Sequence, residues 1–371
     1  MTRTIEIIAA AAAGVLLLLG FGCTQAPVRP DVAPAARYAV DPFWPKTLPN
    51  NWIMGQVAGL AVDGRDHVWV IHRPRTLGDE EQGAALRPPR ANCCVPAPSV
   101  LEFDAEGNLI QAWGGPGTHA AWPVNEHGIY VDPTGNVWIA GNDAKADHHI
   151  MKFTAGGKFL MQIGEAGKTG GSNSTTLLGR PAHMELDTAA NELYVADGYG
   201  NKRVIVFDAT TGAYKRHWGA YGNRPSDEKL PMYNPVSPQF ASPVHCVRLS
   251  NDGLVYVCDR ANDRIQVFEK NGKFVKEFRV EPETLQNGST WDLVFSEDRE
   301  QKHLIVANGA NGYLLVLSRD TGEVLSTFSR PGRMAGELRW VHSLAIDSKG
   351  SLYTAEVGFG RRAQKFVRVA N

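Results

Sequence analysis

The chain is predicted to be all-β, folded as a six-bladed β-propeller. Three observations carry that expectation. Apolar residues alternate with polar ones over short runs, and Gly, Asn and Asp punctuate them, the pattern of many short strands. A strand–turn–strand unit recurs six times. Each unit is followed by a further strand pair, such as "RVIVFDATTGAYKRHWG" or "RIQVFEKNGKFVKEFR". Four antiparallel strands per unit, repeated six times, close into a propeller.

The six units are "GLAVDGRDHVWVIHR", "GIYVDPTGNVWIAGN", "MELDTAANELYVADGY", "CVRLSNDGLVYVCDR", "DLVFSEDREQKHLIVANG" and "SLAIDSKGSLYTAEVG". Their first strands close on Asp63, Asp132, Asp187, Ser250, Ser296 and Asp347, at spacings of 46 to 69 residues. These repeats resemble the NHL family. The longest spacing holds an insertion near residues 74–98, rich in Arg and Pro. The last unit lacks one strand, because the chain ends after "AQKFVRVAN". The stretch "RYAVDPFWP" near residue 37 is expected to supply it and close the ring, which removes an exposed edge. The propeller is thus assigned to 37–371.

Composition narrows the function. The chain has 371 residues, 43% hydrophobic and 21% charged, with a formal net charge of −1. No basic footprint argues for nucleic acid. Residues 1–23 read as an export signal: Arg3 precedes an apolar run ending in "LLLLGFGC". Cys23 resembles a bacterial lipoprotein processing site, although Gly20 and Phe21 depart from the usual residues. Plain secretion and an uncleaved anchor are the alternatives. Residues 24–36, rich in Pro and Ala, read as a tether. The expectation is an exported, periplasmic or cell-envelope protein, lipid-anchored and otherwise free of the membrane. A closed propeller can stand alone as a monomer.

Export favours disulfides. Cys246 and Cys258 flank one hairpin turn and can face each other across it. Cys93 and Cys94 are adjacent in the insertion, and either pair vicinally or stay free.

One register carries chemistry. Counting five residues back from each turn residue gives Ala58, His127, Ala182, His245, Trp291 and His342. Histidine thus occupies one position in units two, four and six. First strands of a propeller line its channel, so three imidazoles from alternate blades converge on the axis. That is a three-ligand metal site with a fourth position open, zinc being the first expectation. His183 lies four residues before Asp187 and misses the register. The ends of the second strands share the rim with these histidines. Arg73, Tyr199 and Arg260 lie there, a set suited to an anionic substrate and to a tyrosine base.

"GQVAGLAVD…VIHR", "EHGIYVD", "VADGYGNKRVIVF", "SPVHCVRLS", "YVCDRANDRIQVF" and "WVHSLAID" resemble the peptidylglycine α-hydroxyglycine amidating lyases. The resemblance runs from about residue 52 to 370. It implies a catalytic zinc on His127, His245 and His342, substrate arginines at Arg73 and Arg260, and a catalytic tyrosine at Tyr199. The implied reaction splits an N-acyl-α-hydroxyglycine, a small anionic or peptide-like substrate, into an amide and glyoxylate. Some positions depart. The resemblance implies a structural calcium on an aspartate after the last histidine, but Ser343 stands there, which puts calcium in doubt: backbone carbonyls near Val57 and Ile129 could still contribute, but the carboxylate is missing. Trp340 replaces a methionine two residues before that histidine, and Gly200 replaces a disulfide cysteine beside the tyrosine. A different class of function is a non-catalytic NHL-type binding module, in which Trp113, Trp122 and Trp218 either serve a partner or, as is usual for tryptophans in blades, pack between them.

Overall fold

The computed structural model describes residues 37–230 and 236–369. The signal, the tether and Cys23 lie outside the described residues. Six four-stranded antiparallel sheets follow one another along the chain. Their innermost strands are Gln56–Val62, Glu126–Val131, His183–Asp187, Val244–Leu249, Asp292–Phe295 and Val341–Ile346. The sixth sheet takes its outer strand from the start of the described chain. Arg37–Asp41 pairs antiparallel with Arg362–Val369, Arg37 opposite Val369 and Asp41 opposite Lys365. The expected closure is what the structure has.

The turn residues explain each first hairpin. Asp132 accepts backbone N–H bonds from Thr134 (3.0 Å) and Asn136 (2.9 Å), then the indole N–H of Trp138 (3.1 Å). Asp63 repeats this with Arg65, His67 and Trp69, and Asp347 with Lys349, Ser351 and the hydroxyl of Tyr353. One short carboxylate therefore folds the turn and anchors the aromatic ring six residues on. In sheets four and five, Ser250 and Ser296 take the same place, each bonded to an aspartate two residues later.

The rings so anchored form the core. Six apolar clusters occur among the described residues, each between neighbouring blades. Trp69 joins Ile139, Trp138 joins Val195, Tyr194 joins Val255, Tyr256 joins Val306, and Tyr353 closes against Val70. All five rings are buried. Burying each such side chain contributes on the order of 1.5–3 kcal/mol, so the ring is held together between its blades. Trp122 and Trp218 are buried too, and Trp113 packs edge-on against Trp122 at 6.2 Å. These three tryptophans are packing residues rather than a partner surface.

Both cysteine pairs are bonded, Cys246 to Cys258 across its hairpin and Cys93 to Cys94 in the insertion. The insertion leaves blade one after Arg73 and returns through Val95–Pro96, which pairs in parallel with Trp52–Ile53. It is tied to blade six by an ion pair between Glu81 and Arg361, and to blade two by Arg75, whose guanidinium donates to the carbonyls of Pro123 and Val124 at 3.1 Å.

Candidate active site

His127, His245 and His342 come together where the first strands begin. Their ligand atoms all lie within 4.8 Å of one another, and all three rings are buried. Each ring is fixed by its neighbour in the next blade. Nδ1 of His127 donates to the Ala182 carbonyl at 2.8 Å, Nδ1 of His342 donates to the Ala58 carbonyl at 2.6 Å, and Nδ1 of His245 donates to the Trp291 carbonyl. The acceptors are the three non-histidine members of the same register. The ring of six positions is thus a closed pattern, alternating imidazole and carbonyl.

That pattern sets the tautomer. A carbonyl accepts only, so each Nδ1 carries the proton and each Nε2 points inward as a lone pair. Burial pushes all three histidines well below the ordinary histidine value, with the neighbouring imidazoles, Arg73 and Arg260 acting the same way. Three neutral donors therefore share one small space. Nε2 of His245 stands 3.3 Å from Nε2 of His342. Two ligand nitrogens on a tetrahedral zinc lie about 3.3 Å apart, given Zn–N bonds of about 2.0–2.1 Å. Lone pairs at that separation fit a shared cation better than each other. The triad could hold a metal.

Tyr199 lies over it. Its hydroxyl is 2.9 Å from Nε2 of His127 and 3.1 Å from Nε2 of His245. Nη1 of Arg260 donates to the same oxygen at 3.3 Å. The loop "DGYGNKR" is built to hold it there. Asp197 accepts Nε of Arg203 at 2.9 Å, Asn201 at 2.7 Å and the Gly179 N–H at 2.7 Å. Gly198 must be glycine, since a Cβ would stand 1.9 Å from the Val244 carbonyl oxygen. The loop "DRANDR" repeats the device: Asp259 accepts Nε of Arg264 at 2.7 Å and Asn262 at 2.9 Å, and Arg260 follows directly. Two buried ion pairs thus carry the rim groups on fixed loops.

Arg260 lies 4.4 Å over the Trp291 ring, and its Nε has no protein hydrogen-bond partner among the described residues. Arg73 is buried. Its Nε donates to the Glu126 carbonyl at 2.6 Å and its Nη1 to Oε1 of Gln56 at 3.0 Å. Neither arginine is ion-paired with a carboxylate among the described residues, which leaves both charges available to a ligand there. Trp340 packs edge-on to Trp291 at 5.5 Å, and Trp291 to His342 at 5.8 Å, which walls one side. Trp340 adopts φ +51°, uncommon for so bulky a residue.

The structure brings together all six residues singled out from sequence. Sequence reasoning missed Gln56 and Trp291 as partners of the arginines, although Trp291 stood in the register. It also missed a network beneath the histidines. Asp292 accepts Nη2 of Arg248 with both oxygens, at 2.8 and 3.0 Å, and Ser343 donates to the same carboxylate at 3.1 Å. His183, off the register, lines the same cavity as the histidines, and its Nδ1 donates to the Val247 carbonyl at 3.0 Å.

An NHL repeat model matches residues 244–268, the first three strands of blade four. The chain is 25% identical over 329 residues to peptidyl-glycine alpha-amidating monooxygenase B of Xenopus laevis, covering 85% of this chain and 34% of that protein. It thus spans about a third of the length of the first curated relatives it matches, the second at 32%. A probable peptidyl-alpha-hydroxyglycine alpha-amidating lyase of Caenorhabditis elegans is 26% identical, with 82% of this chain and 80% of that protein covered. NHL repeat-containing protein 3 of Mus musculus is 25% identical, with 89% and 84% covered. Among solved structures, a streptogramin B lyase superposes with a TM-score of 0.55 at 13% identity, over 90% of this chain and 98% of that one. That likeness concerns the fold. The chain is thus a six-bladed β-propeller that carries an NHL repeat match in blade four and is similar over most of its length to proteins named as peptidyl-α-hydroxyglycine amidating lyases and NHL repeat-containing proteins.

Proposed function

We propose that the chain is a zinc-dependent carbon–nitrogen lyase acting on an N-acyl-α-hydroxyglycine-like substrate. The observation that carries this reading is the convergence of three inward Nε2 lone pairs beneath Tyr199, beside two arginines that have no carboxylate partner among the described residues. His127, His245 and His342 would hold the metal, which supplies Lewis acidity toward a hydroxyl oxygen. Arg260, with a free Nε and one N–H already on Tyr199, orients the substrate carboxylate. Arg73 lies close enough to bind a carbonyl oxygen or share that charge. Tyr199 takes the proton from the α-hydroxyl. The hydroxyl oxygen becomes the aldehyde oxygen of glyoxylate as the carbon–nitrogen bond breaks. The amide nitrogen leaves with the electron pair and regains one proton, which Tyr199 can return. Atoms balance without water or a redox partner.

We place this activity in the cell envelope. Two bonded cysteine pairs suit an oxidising compartment, as does the signal-like start of the sequence. The test is glyoxylate release from N-benzoyl-α-hydroxyglycine by zinc-loaded protein. Stoichiometric benzamide and glyoxylate support the reading. No release from this or peptidyl-α-hydroxyglycine substrates, with metal bound, overturns it. The coverage of NHL repeat-containing protein 3 favours a second reading, a binding module with a structural metal, and that negative result would select it.

A further inference from the structure

The channel below the histidines contains a cation that belongs to the chain itself. Arg248 extends from the innermost strand of blade four, with 14% of its side chain exposed. Its Nε and Nη2 donate to Asp292 of blade five at 3.2, 3.0 and 2.8 Å. The same Nη2 donates to the Leu344 carbonyl of blade six at 2.9 Å. Glu185 of blade three stands 3.9 Å from Nη1. One guanidinium thus touches the innermost strands of blades three to six. Its partner carboxylate is saturated. Asp292 also accepts the N–H groups of Leu293 (2.8 Å) and Leu344 (2.9 Å) and the hydroxyl of Ser343 (3.1 Å).

The position of this network matters more than its size. Asp292 follows Trp291, whose carbonyl fixes His245. Ser343 follows His342. Arg248 lies three residues beyond His245 on the same strand. Above the network, Asp292 and Ser343 line the cavity that holds the three histidines. Below it, Arg248 and Glu185 line a separate cavity that opens between the strand-connecting turns. The Arg248–Asp292 pair is the partition between them. A structural calcium does not fit here. The resemblance implies an aspartate after His342 for such an ion, but Ser343 stands there, and both oxygens of the nearby Asp292 are engaged by Arg248.

We propose that Arg248 is the positioning cation of the channel. It takes the place of a structural divalent ion, and it holds the strands bearing His245 and His342 at the spacing that binds the catalytic metal. A guanidinium can do this because its planar fork meets a carboxylate through two parallel bonds and leaves a donor for a carbonyl. Groups that orient metal ligands from behind typically contribute 10- to 100-fold in affinity.

The test uses the full chain, stripped of metal, in three forms: wild type, Arg248→Ala and Arg248→Lys. Two quantities are read, the melting temperature with and without millimolar calcium, and zinc affinity by competition with a chromophoric chelator. Wild type should be indifferent to calcium. Arg248→Ala should melt lower and regain part of that loss with calcium, because the Asp292 carboxylate is then open to it. Its zinc affinity should fall 10- to 100-fold, with Arg248→Lys intermediate. Calcium that stabilises wild type overturns the proposal, as does unchanged zinc affinity in a folded Arg248 variant. Should Arg248→Ala fail to fold, Arg248→Lys and the wild-type calcium titration decide. The affinity readout rests on the metal-triad reading, whereas the calcium readout does not, so a failure of either is told apart.

Discussion

Replacing Tyr199 by Phe removes one oxygen and little else. The ring keeps its edge-on contacts with His127 at 4.9 Å and His245 at 5.8 Å, and Arg260 remains 5.8 Å over its face. What disappears is a hydroxyl with three polar neighbours, Nε2 of His127 and His245 and Nη1 of Arg260. If that oxygen is the proton acceptor, its loss should cost about 10²- to 10⁴-fold in kcat, roughly 3 to 5 kcal/mol of transition-state stabilisation. Binding should change little, because the charges that hold the carboxylate are still present. Zinc content should also stay the same, since the phenol is not among the three nitrogen donors. The assay is steady-state glyoxylate release, run beside metal analysis and thermal melting on the same preparations. A Tyr199→Phe protein with one bound metal and kcat within a few-fold of wild type would refute the assigned role, and proton removal would have to fall to another group.

Two further predictions concern the scaffold. The Cys246–Cys258 bond closes a short loop, 12 residues apart in sequence, so the Cys246→Ser/Cys258→Ser double variant should lose about 3 kcal/mol of unfolding free energy; an unchanged urea midpoint would contradict this. His183 is buried and pushed down to about 3, so the folded chain leaves it neutral while the unfolded chain protonates it near the ordinary value of about 6.5. Its stabilising contribution is complete above that value and is lost as pH falls toward 3, by about 2 kcal/mol at pH 5. His183→Gln keeps a donor for the Val247 carbonyl and should lose correspondingly less stability between pH 7 and pH 5; parallel pH profiles for variant and wild type would contradict it.

Much of this molecule is readable because its repeats can be laid over one another. The turn aspartates mark the hairpins since a short acceptor at that position folds the turn by itself, whatever surrounds it. Once six copies are aligned, the histidine register follows, and with it the rim positions of Arg73, Tyr199 and Arg260. What the alignment hides is anything made by side chains that reach sideways between blades. Arg248 looks like any polar residue in a strand, and its partners are 44 and 96 positions away. The support of Tyr199 by Asp197, Asn201 and Arg203 was equally hidden, although "DGYGNKR" and "DRANDR" share acid, amide and arginine in the same order. The tautomers of the histidines depended on backbone carbonyls, which carry no sequence identity. The Cys93–Cys94 pair stayed open because adjacency alone does not decide between bonded and free.

The most direct test is the metal content of the purified propeller, measured beside His127→Ala/His245→Ala. The inward Nε2 set predicts about one zinc per chain in the wild type after loading, and none retained by the double variant. Equal metal in both proteins, or none in either after reloading, would contradict the account, because three buried neutral imidazoles would then converge without serving a cation.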